Sequence, residues 1–237
     1  MIAEIGLAAL WLAAALAVLQ MVSGGFALRS VEGAPNPMAI YARPAAVVQA
    51  VLAVLAFILL LYAFAVTDLS IKLVATNSHS MKPMIYKLTG TWGNHEGSML
   101  LWVGVLALSG GLLAAFEKRL PERTMGATLG VQGFVALGFY AFLLFSSNPF
   151  ERLPVPAVEG VGLNPLLQDP GLAIHPPLLY LGYVGFSIAF SFAIDALLEG
   201  RIDAVWARFV RPWTLLAWSF LTLGIAMGSY WACLLYT

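Results

Sequence analysis

Six stretches of the chain are nearly free of charge and long enough to cross a bilayer: residues 5–28, 45–66, 99–116, 125–145, 176–198 and 212–233. A crossing helix needs about 20 mostly apolar residues. No run carries a charge near its middle, and none alternates apolar with polar as the short strands of a membrane barrel do. The pattern predicts an all-α, polytopic membrane helical bundle of about six transmembrane helices, a single membrane domain over residues 1–237. The third run is the shortest and borrows residues from its flanks. The first lacks a basic leader and has Glu4 in front, so it reads as a retained helix rather than a cleaved signal segment. Gly24-Gly25 and Gly110-Gly111 read as points of close helix packing. Asp195, near the end of the fifth run, reads as a carboxylate that snorkels to the interface.

Six spans divide the connections into two sets. Residues 29–44, 117–124 and 199–211 carry Arg29, Arg43, Lys118, Arg119, Arg123, Arg201, Arg208 and Arg211; residues 67–98 and 146–175 carry Lys72, Lys82, Lys87 and Arg152. Basic loops stay in the cytoplasm. The N-terminus and the two long loops, 67–98 and 146–175, are therefore expected to face outward, which in a bacterium is the periplasm. All three histidines, His79, His95 and His175, fall in those outer loops.

Composition agrees: the chain is 61% hydrophobic and 10% charged, against about half and a quarter in soluble domains. With zero formal net charge and no basic cluster, it shows no footprint for nucleic acid. Its one cysteine, Cys233, cannot form a disulfide within the chain, and there is no Cys-x-x-Cys-His for a covalent haem. A transporter reading is weakened by span centres almost empty of ionisable groups. A purely structural, partner-binding membrane subunit is the stronger rival to a chemical role.

Candidate chemistry lies in the outer loops. The early part of residues 68–80 alternates weakly, as a short extended segment does, and His79 there reads as a solvated loop residue. Residues 87–102 crowd Trp92, Trp102, His95, Glu96 and three glycines into sixteen positions. An interfacial Trp pair, a glycine turn and Ser98 capping a helix from Met99 explain much of this. The Asn94-His95-Glu96 triplet is not explained that way. An imidazole beside a carboxylate at a low-dielectric boundary suits an anionic or metal-bearing ligand, or proton relay. The second loop is stiffened by Pro149, Pro154, Pro156, Pro165 and Pro170 and ends in Ile174-His-Pro-Pro-Leu-Leu-Tyr180. Proline suits the first helical position and pushes the residue before it out of the helical region. His175 is thus expected just outside a helix, near its positive end, where the neutral ring that ligates iron is favoured. Tyr180 and Tyr183 follow and are positioned to line a pocket.

Three segments, Trp92-Gly-Asn-His-Glu-Gly-Ser-Met-Leu-Leu-Trp102, residues 171–185 around His175, and residues 211–231 ending in Thr222-Leu-Gly-Ile-Ala-Met-Gly-Ser-Tyr-Trp231, resemble in order and spacing the CcmF-type cytochrome c haem lyase subunit. The resemblance runs to Trp231 and is to the N-terminal portion of that family. It implies a multispan subunit of the bacterial inner membrane that takes haem from a haem chaperone and promotes its attachment to apocytochrome c in the periplasm, together with other cytochrome c maturation subunits. The haem, b-type until it is transferred, is the substrate. His175 matches one axial ligand of its iron. His95, Glu96, Trp92, Trp102 and Tyr180 are candidates for the haem pocket or for partner contact, with membrane lipid around them. No catalytic residue is implied. The resemblance also implies a Trp-rich segment, a second outer-loop histidine and a further b-type haem between two span histidines. The sequence departs at Ala232-Cys-Leu-Leu-Tyr-Thr237, as a frameshift, a truncation or an incomplete record would leave it. Weak or absent haem binding by residues 1–237 alone is the expectation.

Overall fold

The computed structural model describes residues 1–30, 36–200 and 202–235. Arg201 of the basic count, residues 31–35 of the first short loop and the terminal Tyr236-Thr237 lie outside the described residues. The helices are α1 (Ile2–Leu28), α2 (Ala42–Ala65), α3 (Lys72–Asn77), α4 (Met84–Thr89), α5 (His95–Phe116), α6 (Glu122–Phe145), α7 (Pro170–Tyr183), α8 (Phe186–Glu199) and α9 (Ala204–Leu235). Among the described residues six helical spans are long and apolar enough to cross a membrane, the fifth being α7 and α8 together. The fold is all-α and polytopic as the pattern predicts.

The first block is α1, α2, α5 and α6. On α1 the buried positions Ala3, Gly6, Leu10, Ala13, Ala17, Gln20, Gly24 and Ala27 recur every three or four residues. On α2 Ala42, Ala46, Gln49, Ala53, Ala56, Leu60 and Ala63 do the same. In lipid, helices gain little from hiding apolar surface from one another, and small residues let backbones approach for dispersion contact. Gly126 packs on Ala27, and a Cβ on Gly133 would stand 2.8 Å from the Ala17 carbonyl oxygen. Of the glycine pairs expected to pack closely, Gly24 meets Gly130 and Gly111 meets Ala50, whereas Gly25 has open space and Gly110 makes only ordinary contact.

Buried polar groups tie the block. Gln20 Nε2 donates to the Leu129 carbonyl at 2.6 Å, and the Arg43 guanidinium donates to the carbonyls of Ala114 and Glu117 at the end of α5 while pairing with Glu122. That is a cation at a helix C-terminus, where orphan carbonyls and the dipole favour it.

The second block is α7, α8 and α9. The fifth apolar run is not one helix: it breaks at Val184-Gly185. Gly200, left-handed at φ 67°, closes α8. The Asp195 side chain does not snorkel. It is 1% exposed and turned into the bundle, with Glu199 and Arg123, an ion pair at 2.9 Å, as its charged neighbours.

At one end the two long connections form a joint cap. Lys72 N donates to the Glu151 carbonyl, Leu153 N to Ser70 and Val161 N to Ala75. Lys72 pairs with Glu151, and Arg152 reaches both Glu4 and Ser70. The two loops therefore lie at the same end, as six spans require. The extended segment expected early in residues 68–80 is confined to Ile71, bridged to Arg152, after which Lys72–Asn77 form α3. The cap is also shorter than predicted, because α5 begins at His95 and α7 at Pro170, inside the expected loop boundaries.

Candidate functional site

The residues around His95 build a corner between the cap and α5. Asn94, not Ser98, caps the helix: its Oδ1 accepts from Gly97 N at 2.7 Å, and its Nδ2 donates to the Gly90 carbonyl at 2.6 Å. Ser98 sits within the first turn and donates to the His95 carbonyl. Asparagine has both a donor and an acceptor, so it can close the turn and start the helix at once. Gly97 is buried with its Cα against the Thr91 carbonyl oxygen, and a Cβ there would overlap that oxygen. Trp92 stacks on Phe57 of α2 at 6.4 Å. His95 is exposed, with Nδ1 2.9 Å from the hydroxyl of Ser147 and its ring edge-on to Phe142. Glu96 is half-buried in the same turn. Within the triplet, Asn94 is thus the cap, and His95 and Glu96 begin the first turn of α5.

Trp102, two turns along α5, links this corner to the second block. It packs against Phe139 at 5.4 Å, Tyr180 at 5.8 Å and Tyr183 at 5.4 Å. Tyr180 and Tyr183 thus meet at Trp102. Met99, Val135, Gly138, Phe139 and Phe142 line a shallow apolar hollow beside it.

His175 sits elsewhere in the fold. It is inside α7, not before it, because the N-terminus is set upstream by Asp169, whose carboxylate accepts from Gly171 N at 2.6 Å, with Pro170 in the first turn. Pro176 and Pro177 then fall inside the helix. Each lacks an N–H, so the carbonyls of residues 172 and 173 lose their helical donors. The half-buried ring faces α9. Nδ1 is 2.7 Å from the Gly224 carbonyl oxygen, the ring lies against Gly228, and the Trp231 ring is 6.1 Å away, tilted by 38°. Trp231 Nε1 is buried and finds no acceptor among the described residues. A buried donor without a partner is costly, and among such groups this one stands beside a histidine. His79 makes only a local turn, accepting from Met81 N.

Gly224, Gly228 and Trp231 escape a reading based on titratable side chains. Their signal was the Gly-x-x-x-Gly spacing in an apolar run, a mark of close helix approach. Lys82 also escaped it. It is 9% exposed, its ammonium donates to the Asn77 carbonyl at 3.0 Å, and Gly90 is its close neighbour. It thus ties the ends of α3 and α4 together, and burial pushes it down to about 8, with Lys87 adding to the effect. Glu159 is held down to about 2 by donors from Ser80 and Gly160.

Residues 92–237 match the family model described as cytochrome C assembly protein. The chain is 57% identical over 232 residues to cytochrome c-type biogenesis protein CycK of Bradyrhizobium diazoefficiens, covering 98% of this chain and 35% of that protein. It is 54% identical over 178 residues to cytochrome c-type biogenesis protein CcmF of Escherichia coli, covering 75% of this chain and 28% of that protein. The solved structure of cytochrome c haem lyase CcmF superposes with a TM-score of 0.83 at 29% identity, over 98% of this chain and 36% of that one. The chain spans about a third of the length of the curated relatives it matches.

Proposed function

The chain belongs to the cytochrome C assembly protein family, and from that premise we propose that it handles haem in cytochrome c maturation, as part of a membrane haem lyase. Haem is the substrate, held in b-type form before transfer to apocytochrome c. The capped end faces the periplasm of a bacterial inner membrane, a reading supported by the excess of Lys and Arg in the opposite loops. Partners in this reading are a haem chaperone, other maturation subunits and apocytochrome c.

One observation carries the proposal: His175 and Trp231 stand together at the α7–α9 seam, the histidine with one ring nitrogen already engaged and the tryptophan with a buried N–H that has no acceptor among the described residues. His175 is one axial ligand of the haem iron. Trp231 donates to a polar group of the ligand. Tyr180 and Trp102 extend the aromatic surface. His95, Glu96 and Trp92 shape the corner beside it and meet partners more than haem.

The test is an absorption titration of the purified chain in nanodiscs with haem. A weak Soret band, shifted from that of haem in empty nanodiscs and lost in His175→Ala, is expected. A band indifferent to that substitution removes His175 from the site.

A further inference from the structure

We propose that the Gly224-x-x-x-Gly228 step of α9 is the positioning element of His175: it holds the imidazole as the Nδ1–H tautomer and leaves Nε2 as the atom presented to a ligand. Only the identity of that ligand as haem iron rests on the proposed function.

The first link is chemical. Nδ1 and the Gly224 carbonyl oxygen are 2.7 Å apart. A carbonyl oxygen only accepts, so the proton is on Nδ1. No histidine–carboxylate ion pair occurs among the described residues, and the site lies within a membrane span. With the proton on Nδ1, Nε2 is the nitrogen left to offer a lone pair to a ligand.

The second link is steric. A Cβ on Gly224 would stand 2.7 Å from Leu179 N and 2.8 Å from its Cα, so this glycine sets how closely α7 approaches. A Cβ on Gly228 would stand 2.7 Å from His175 Nδ1 and 3.1 Å from Nε2, and nearer still to the carbon between them. One glycine brings the carbonyl within reach of the ring, and the second, one turn on, gives the ring its space. Pro176 and Pro177 shape the backbone that carries His175, but neither side chain chooses between the two nitrogens. Protein groups that hold the other nitrogen of a ligating histidine fix its orientation, and losing them costs roughly ten- to a hundredfold in metal affinity.

The experiment is nitrogen-15 NMR of the full chain in nanodiscs, labelled at histidine, in a His79→Gln, His95→Gln background that leaves His175 as the one histidine. At neutral pH the expected spectrum is a neutral ring protonated at Nδ1. A ring protonated at Nε2, or an imidazolium, overturns the proposal. Gly228→Ala is expected to erase the Nδ1–H signature and to weaken the His175-dependent haem signal by roughly ten- to a hundredfold. Gly25→Ala, at a position with open space, is expected to change neither. An unaltered Nδ1–H signal in Gly228→Ala would overturn the role given to that glycine. The tautomer is read without haem, so a failed haem titration beside an intact signature defeats the haem reading and supports the seat.

Discussion

The corner at residues 90–102 and the seam between α7 and α9 use one device, a glycine pressed against a neighbouring segment, and come out differently. In the corner the turn closes on itself, since Asn94 uses both ends of its amide and Gly97 closes on Thr91, although the Thr91 hydroxyl is buried with no partner among the described residues. In the seam the glycines leave one histidine nitrogen and one indole N–H over. The surroundings differ in the same direction. In the most apolar stretch of α5, 56% of residues are buried, against 11% in α9. The corner is held by its own backbone and amide contacts, while the seam places His175 and the indole of Trp231 side by side.

Breaking the corner is expected to have the largest effect. Gly97→Ala puts a methyl group into the Thr91 carbonyl, with α4 and α5 both fixed behind it. A loss of ~3 kcal/mol is expected, visible as poor membrane accumulation and a lowered thermal midpoint. A protein as stable as the parent would show that the turn has slack. In the seam, a Cβ on Gly182 would overlap the backbone of Leu221. Gly182→Ala is expected to cost ~2 kcal/mol but locally: proteolysis in residues 200–211 accelerates while the α1–α2–α5–α6 block melts as before. Unfolding of both together would make the two blocks one cooperative unit.

A smaller effect belongs to the cap. Asn94→Ala should cost ~1 kcal/mol, with Asn94→Asp in between, because it keeps the acceptor for Gly97 N and loses the donor to Gly90. Equal melting of both variants would show the donor contributes nothing.

The smallest is a pH effect at Lys82. Its folded pKa, about 8, is below its ordinary value because burial disfavours the ammonium. Below pH 8 both folded and unfolded states carry the charge, and the burial cost is present in full. From about 8 to the ordinary lysine range near ~10.4 the folded state gives up its proton first, so stability rises with pH. Thermal midpoints at rising pH should show this increment in the parent and lose it in Lys82→Met. A flat profile in the parent removes Lys82 as a buried cation.

The six spans were legible because a bilayer imposes one demand, a long apolar helix, and each run meets it. The shared end of the two outer loops followed from counting spans. Boundaries were less legible. α5 begins at His95 rather than Met99 because Asn94 offers both a donor and an acceptor, a choice that depends on where Gly90 lies. His175 was selected by type and by resemblance, but the sequence alone placed it outside a helix. Two successive prolines argue for that locally, and the earlier cap at Asp169 overrides them. Asp195 read as an interfacial carboxylate, and tertiary packing turned it inward.

Short-range chemistry thus settled, from sequence alone, which segments enter the membrane, how many do so, and which three motifs carry the family likeness, since each depends on residues near in the chain. Which nitrogen of His175 stays free, that Trp231 stands beside it, and that Gly228 makes room for it depend on residues about fifty positions apart meeting across a helix interface. No local preference encodes that meeting. Only the packing of α7 on α9 decides it.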